Sequence, residues 1–425
     1  MFNFLVKSDF SVRVKSIFMV LMYLPLIWCF SGMLIYPSAD KTQVILVLLA
    51  IISSFIVHDK KTIIDNVKQN QLAKFLLFLT IGAVFLKLLH GYSSSVIRAF
   101  SGLLLYFAFI PKSTFSSIKN KLPALLLLSG IISFVYGFWF TYVLELGRAW
   151  SINPIPYSTV SVAIGVGSLY FLFSNASKQI QRMMLLSFAL SLNVIIFSQA
   201  RGTALALCSV AALVILFAVY SKLEIRKQLT YIFLIVIVSL LANTHLIQNR
   251  IDFTANEMQR IESSDMNSSI GLRFQMWKAA VYLIKEKPLL GYGDDHKQAK
   301  QLLADQGIIT QDAVPFTHYH NEFISDWALD GLTGVVMLLL MLYLPFFLFK
   351  KTVQQHASGE KFTSLCRGGI RNPYIQQSIA GIFIVLGYAV AALTDVPFQH
   401  AVTISFYLAS CAVIFFGCED LTERT

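Results

Sequence analysis

Residues 318–349 read HYHNEFISDWALDGLTGVVMLLLMLYLPFFLF. The second half of this stretch, 335–349, carries no charge and is apolar at nearly every position. Such a run is solvated by lipid or by other apolar surface. The first half sets imidazoles beside an amide at the foot of what would be a membrane helix. Polar, titratable side chains are costly there unless they have work to do.

The same apolar character recurs along the whole chain of 425 residues, of which 56% are apolar, 13% charged and 35 are Phe. Soluble globular chains carry nearer 25% charged residues. Twelve runs approach the length needed to cross a bilayer, with cores at 17–36, 43–57, 74–92, 96–111, 122–143, 157–173, 183–199, 202–220, 229–244, 331–349, 374–394 and 401–417. The second and fourth are short, and the seventh and eighth are separated only by Gln199, Ala200 and Arg201 with Gly202. The polar start, with Lys7, Arg13 and Lys15, reads as a retained first anchor and not as a cleaved signal peptide. The expected fold is therefore an all-α integral membrane protein of about twelve transmembrane helices.

The net charge of +11 is topological. With the N-terminus in the cytoplasm, the cytoplasmic segments collect twenty Lys and Arg residues, among them Lys60, Lys119, Lys222, Lys361, Arg367, Arg371 and Arg424. The short outer loops carry only Lys41, Arg148 and Arg201. This is the asymmetry of the positive-inside rule, and it puts both termini in the cytoplasm. The basic surface then faces anionic headgroups and not nucleic acid. Five cysteines, Cys29, Cys208, Cys366, Cys411 and Cys418, form no CxxC pair and avoid the longest polar loop, which argues against disulfides and cysteine metal sites.

Three parts follow: 1–244 with nine spans, a long outer loop 245–330, and 331–425 with three more spans around a basic cytoplasmic loop 350–373. The outer loop holds twelve of the 23 acidic residues against eight Lys and Arg. A loop of this length is uncommon without a function. Within it, 273–287 places Trp277, Ala280, Val281 and Ile284 at helical spacing and ends before Pro288. A turn at Gly291, Tyr292 and Gly293 precedes a short helix over 295–305, and a third helical pattern runs from Asn321 toward Gly331. These read as a helical cap on the outer membrane face.

Taken residue by residue, the candidate chemistry stays open. Arg201, in the tight turn after the seventh span, is either an interfacial arginine reaching for headgroups or an anion ligand. Arg273, at the start of an amphipathic helix, is either solvated or aimed at a ligand. His320 is a structural imidazole, a base or, with His318, part of a weak metal motif. Asp395, at the outer end of the eleventh span, is a candidate partner for an arginine, and Asp326 and Asp330 are candidates to polarise His320. Asn321 either caps the helix that follows or orients the histidine.

His320 and Asn321, then nine residues, then Gly331, Leu332, Thr333 and Gly334 resemble the His-(Asn/Ser/Gln)-x9-Gly-x-x-(Gly/Thr/Tyr) pattern of bacterial O-antigen ligases. Arg201 to Leu205 is similar to that family's Arg-x3-Leu element. Arg273, Trp277, Pro288, Gly291 and Gly293 resemble the Arg…Trp…Pro-x-x-Gly-x-Gly stretch of the wider ligase and polymerase superfamily. The topology, twelve spans with one large periplasmic loop before the tenth, extends the resemblance over most of the chain. The implied architecture resembles that of the lipid-linked, GT-C-like glycosyltransferases.

The resemblance implies transfer of O-antigen polysaccharide from undecaprenyl pyrophosphate to a sugar hydroxyl of lipid A–core, on the periplasmic side of the bacterial inner membrane. The pyrophosphate is its own leaving group, so no cofactor and no metal is implied, and the chain has no GxxxxGK[ST] phosphate loop. Arg201 and Arg273 would hold the pyrophosphate, His320 would accept the proton of the attacking hydroxyl, and the anomeric centre would invert. Asn321, Asp326 and Asp395 would support these groups, while Gly291, Gly293, Gly331 and Gly334 shape the backbone. An O-antigen polymerase or a protein O-oligosaccharyltransferase would use the same donor. A transporter would spread charge through its spans, whereas here only Lys87 and Arg98 approach them, near span ends.

Overall fold

The computed structural model describes residues 12–422 except 119, 222, 224, 264 and 356–371. Lys7, Lys119, Lys222, Lys361, Cys366, Arg367, Arg371, Arg424 and most of the expected basic loop 350–373 lie outside the described residues. Within them the chain is helical, with no strand. The first half contains α1 (Val12–Cys29), α2 (Ala39–Val57), α3 (Lys60–Gln69), α4 (Gln71–His90), α5 (Ser94–Phe109), α6 (Leu122–Phe138), α7 (Pro154–Phe173) and α8 (Lys178–Ser198). The second half contains α9 (Arg201–Tyr220), α10 (Arg226–Ala242), α11 (Thr244–Glu262), α12 (Ser269–Glu286), α13 (His296–Asp305), α14 (Glu322–Gln355), α15 (Pro373–Ala392) and α16 (Ala401–Thr422).

Nine helices are long and apolar enough to cross a membrane, or ten if α10 and α11 are one broken span. α5 and the apolar part of α16 are shorter. Of the about twelve expected transmembrane helices, nine are long enough to cross by themselves, and the other apolar segments form a bent pair and two short helices. The reason is geometric: at 1.5 Å per residue, the 16 residues of α5 reach only about 24 Å against a hydrocarbon core of about 30 Å.

α7 is the hub of the bundle. Every residue from Pro156 to Phe173 is buried, and the helix contains no charge. α8, α9 and α15 surround it, with Gly165 set against Ser191 of α8 and Leu207 of α9, and Gly387 of α15 set against Val162. Cys29, Cys208 and Cys411 form no disulfide among the described residues.

Two breaks in helix geometry carry polar groups to one end of this bundle. The first is the 76° bend between α10 and α11 at Asn243. The Asn243 amide donates to Asn193 of α8 at 3.0 Å and to the Ser239 carbonyl at 2.6 Å, and its oxygen accepts from the Tyr142 hydroxyl. This buried amide fixes the corner, and α11 leaves the bundle at an angle with Arg250, Thr254 and Glu257 along it. The second break is in α14, where Gly331 departs from helical geometry with φ 61° and ψ −149°. Residues 322–330 stand in the cap and the rest of α14 descends as a span.

The cap has its own apolar core of Met276, Ala279, Ala280 and Leu283 from α12, with Tyr292, Ile309, Ala313, Tyr319 and Ala328. The buried stripe of α12 therefore lies one step before the expected 277/280/281/284 set. Val281 is 46% exposed and Trp277 sits at the edge of the core.

Candidate functional site

The α8–α9 turn is two residues long because Gln199 adopts a left-handed φ of 52° and Ser198 Oγ accepts from the Ala200 amide at 3.2 Å. Arg201 is therefore the first residue of α9, where unpaired amides and the helix dipole already favour an anion. Its Nη1 bonds Glu257 Oε2 of α11 at 2.6 Å and Thr254 at 3.2 Å. Gly202 lets this helix start press against the 394–395 turn, since a Cβ there would collide with Thr394. Arg273 of α12 donates to the Thr394 carbonyl at 3.1 Å.

His320 is held from several sides. Buried Lys300 of α13 donates to the Phe316 carbonyl, Trp277 donates to the Tyr319 carbonyl at 2.8 Å, and the Tyr319 amide donates to Ser325 Oγ at 2.9 Å. Asn321 donates to the Leu393 carbonyl at 3.1 Å and its oxygen accepts from the Ile324 amide at 3.2 Å, so it both ties the turn to α15 and caps α14. His320 itself has φ 48°. That left-handed conformation is uncommon for a side chain of its size and persists only where surroundings impose it.

His320 Nδ1 lies 3.3 Å from Asp395 Oδ1, and His318 Nε2 lies 3.7 Å from the same oxygen. The two rings are 4.4 Å apart between centroids. Burial alone would raise the Asp395 carboxyl, but the hydrogen bond from His320 and the neighbouring imidazoles outweigh it and hold the carboxyl below its ordinary range. Burial and the adjacent His320 push His318 down to about 4. Asp395 pairs directly with imidazoles, and its expected partnership with an arginine is a longer-range one, its charge supporting the Arg273 guanidinium. One expectation is corrected here. Asp326 accepts from Gln399 at 3.2 Å and does not reach His320.

Arg201, Arg273 and His320 converge on one cavity of about 250 Å³, together with Arg148 and Arg250. Sequence reasoning missed those last two because a loop arginine and a helix arginine look solvated when the fold is unknown. The Nε atoms of Arg148 and Arg250 are enclosed and lack hydrogen-bond partners among the described residues. Burial lowers the Arg148 and Arg273 guanidinium pKa values, Arg201 adding to the effect at Arg148 and Asp395 partly offsetting it at Arg273. Four guanidiniums around one space, with Glu257 bonded to one of them, are suited to a polyanion. Along α8 to α11 an apolar groove of about 840 Å³ shares Ala200, Arg201 and Arg250 with this cavity. The ligand atoms of His318, His320 and Asp395 also lie within 4.8 Å of one another, a donor set for a divalent ion.

The two glycine motifs form a single device. The Tyr292 amide donates to the Ala328 carbonyl and the Leu332 amide to the Leu289 carbonyl, each at 3.0 Å. A Cβ on Gly291 would strike the Leu329 carbonyl, and one on Gly331 would strike the Leu289 carbonyl. The loop after Pro288 thus locks the kink of α14.

Two buried histidines give the cap an acid-sensitive contribution to its stability. Burial holds His296 at about 3 and His318 at about 4, both below the ordinary 6.5. The unfolded chain binds these protons first, so the stability that the two histidines contribute is full above about pH 6.5 and falls as the pH drops from there toward 4, while the buried carboxyls of Glu322, Asp326 and Asp330 act in the opposite sense. A tenfold difference in proton affinity between the folded and unfolded chain corresponds to about 1.4 kcal/mol. Wild type and His318→Asn share every other titrating group, so the melting-temperature advantage of wild type over the variant should shrink between pH 7.5 and 4.5. An unchanged advantage across that range would contradict the assignment.

These features define a class: a multi-pass helical membrane protein with an arginine-lined, imidazole-bearing cavity under a cap at one end of its bundle. Comparison with known families adds a likeness. Residues 186–339 match the family model described as O-antigen ligase, so that segment is similar to the O-antigen ligase family. Arg201, Arg273, His320 and the four motif glycines fall inside the matched segment, while Arg148 and Asp395 fall outside it. A protein of Haemophilus influenzae described as uncharacterised is 33% identical over 102 residues, which is 23% of this chain and 24% of the relative. The chain thus matches about a quarter of that relative's length.

Proposed function

We propose that this protein is a glycosyltransferase that moves O-antigen polysaccharide from undecaprenyl pyrophosphate to a sugar hydroxyl of lipid A–core. The observation that carries the reading is the continuity of an arginine-lined cavity bearing His320 with a long apolar groove. A lipid pyrophosphate has that shape, an anionic head on an isoprenoid tail. In this reading the bent pair and the two short helices complete twelve spans, both termini are cytoplasmic, and the cap faces the periplasm.

Arg201, Arg273, Arg148 and Arg250 bind the pyrophosphate oxygens and stabilise the charge that develops as the glycosidic bond breaks. The acceptor hydroxyl attacks the anomeric carbon opposite the pyrophosphate, so one C–O bond forms as the other breaks and the centre inverts. His320 donates Nδ1–H to Asp395, which leaves Nε2 with a lone pair for the hydroxyl proton. Undecaprenyl pyrophosphate leaves.

Deleting the gene in its host and separating lipopolysaccharide by size tests the reading. The expected result is lipid A–core without polymer, with long chains accumulating on the lipid carrier. Plasmid-borne wild type should restore the polymer ladder, whereas Arg201→Ala and Arg273→Ala should not. Each guanidinium–phosphate interaction is worth about 1.5–3 kcal/mol, or roughly 10- to 150-fold in donor engagement. Core bearing a single repeat unit would identify a polymerase instead, and an unaltered ladder would sink both readings.

A further inference from the structure

A second polar cavity, of about 200 Å³, lies beside the first and has no part in the chemistry described so far. The end of α4 with the turn that follows it, the loop at Gly293, α13, and the cap half of α14 enclose it. Its parts interlock closely, since a Cβ on Gly293 would run into the His90 ring and one on Gly91 into the Asp294 carboxylate. The chain passes through Thr317 on this cavity's wall and then His320 on the arginine cavity's wall. The opposing turn does the same, with Thr394 on the arginine side and Gln399 on this one. The His318, His320 and Asp395 cluster therefore belongs to the partition between two spaces.

The chemistry of the two spaces differs. The arginine cavity is strongly cationic. The second carries the carboxylates of Asp294 and Asp330, the His90 imidazole, the Gln399 amide and Tyr92, with Lys297 as its one lysine. Asp330 is 5% exposed, lines the cavity and has no hydrogen bond or ion pair among the described residues. The Nε2 of His90 is enclosed and also lacks a partner. Buried polar groups without partners are costly and point to a ligand that completes them. A carboxylate, an amide and an imidazole beside an aromatic ring suit a neutral ring bearing hydroxyls, and the acidic side chains disfavour a phosphate. The volume admits one sugar residue and not a chain.

We propose that this cavity is the binding site for the terminal sugar of the acceptor glycan, with Asp330 accepting hydrogen bonds from its hydroxyls. The proposal rests on the glycosyltransferase reading above and adds to it the place and polarity of the second substrate. Donor head and acceptor sugar then approach the His320 partition from opposite sides. Asp330 is here a binding residue, and His320 remains the base.

Isothermal titration of the purified full-length protein in lipid nanodiscs tests this with three probes. These are deacylated core oligosaccharide, the free O-unit oligosaccharide, and farnesyl pyrophosphate as a soluble lipid pyrophosphate. Asp330→Asn should weaken core oligosaccharide at least tenfold and leave farnesyl pyrophosphate within twofold. Asp294→Ala, at the exposed rim, should act in the same direction with the melting temperature unchanged. Arg273→Ala should show the reverse pattern. In transfer assays the Asp330 and Asp294 variants should raise the KM for acceptor and spare the KM for donor. Loss of O-unit binding in these variants in place of core binding would assign the cavity to the donor sugar and overturn the proposal. Unchanged core affinity in both variants would also overturn it, as would a wild type that binds farnesyl pyrophosphate but no core oligosaccharide. A wild type that binds neither would remove the glycosyltransferase reading itself.

Discussion

Purified His320→Ala is expected to lose polysaccharide transfer by about 10²- to 10⁴-fold, the range supplied by a positioned general base, while its affinity for a lipid pyrophosphate stays within a few-fold of wild type. The separation follows from geometry. The anion-binding groups are the four arginines, anchored on α9, α11, α12 and the loop before α7, and none of them depends on the His320 ring for a hydrogen bond. The segment that carries the ring is fixed at the Phe316 and Tyr319 carbonyls and by the Asn321 side chain, contacts that survive truncation of His320 to alanine. Asp395→Asn should give a smaller loss, because the ring remains but its tautomer and its charged form lose their partner. Full activity of His320→Ala with saturating acceptor would remove it as the base. Activity abolished by a chelator and restored by a divalent ion would recast His318, His320 and Asp395 as ligands.

Much of this arrangement was legible in the sequence, and the missing parts share one physical cause. Apolar runs announce themselves by composition, so the helices of the bundle and the cap helices at 269–286 and 296–305 fall close to their expected places. Periodicity is less exact about faces. A half-buried Trp277 at the edge of a stripe shifted the expected face of α12 by one residue. Long-range pairing has no periodic signature at all. Nothing local distinguishes Arg148 or Arg250 from a solvated arginine, and Lys300 reads as a surface lysine although it is fully buried and bonded to the Phe316 carbonyl. Asp395 looked available to an arginine, and only the fold sets it 3.3 Å from His320, 75 residues earlier in the chain. The glycines were readable as a motif, but their mutual contact was not, since Gly291 and Gly331 lie on segments that meet only when the cap closes on α14.

That contact carries the second large effect. Gly331→Ala is expected to destabilise the protein far more than Gly307→Ala, although both residues have positive φ, 61° and 69°. Gly307 faces open space, so its variant reports only the conformational cost of a left-handed alanine, about 1–2 kcal/mol. Gly331, with ψ −149°, lies in a region that is essentially glycine's alone, at a cost of order 1–3 kcal/mol for other residues. Its added methyl would also meet the Leu289 and Leu290 carbonyl carbons at 2.6 Å. Backbone cannot swing aside as a flexible side chain can. The loop would have to give up the Leu332–Leu289 and Tyr292–Ala328 hydrogen bonds and the Trp327 indole bond to the Pro288 carbonyl at 3.1 Å. Gly291→Ala attacks the same contact from the other side, so the double variant should cost clearly less than the sum of the singles. Melting temperatures of the four detergent-solubilised variants, each against wild type, decide the matter. If Gly331→Ala melts no lower than Gly307→Ala, the lock between the Pro288 loop and the α14 kink does not hold the cap in place. If it melts well below, yet still binds lipid pyrophosphate at low temperature, transfer should be the property that fails. His320 sits on the cap side of that kink, and Arg201 sits on the bundle side.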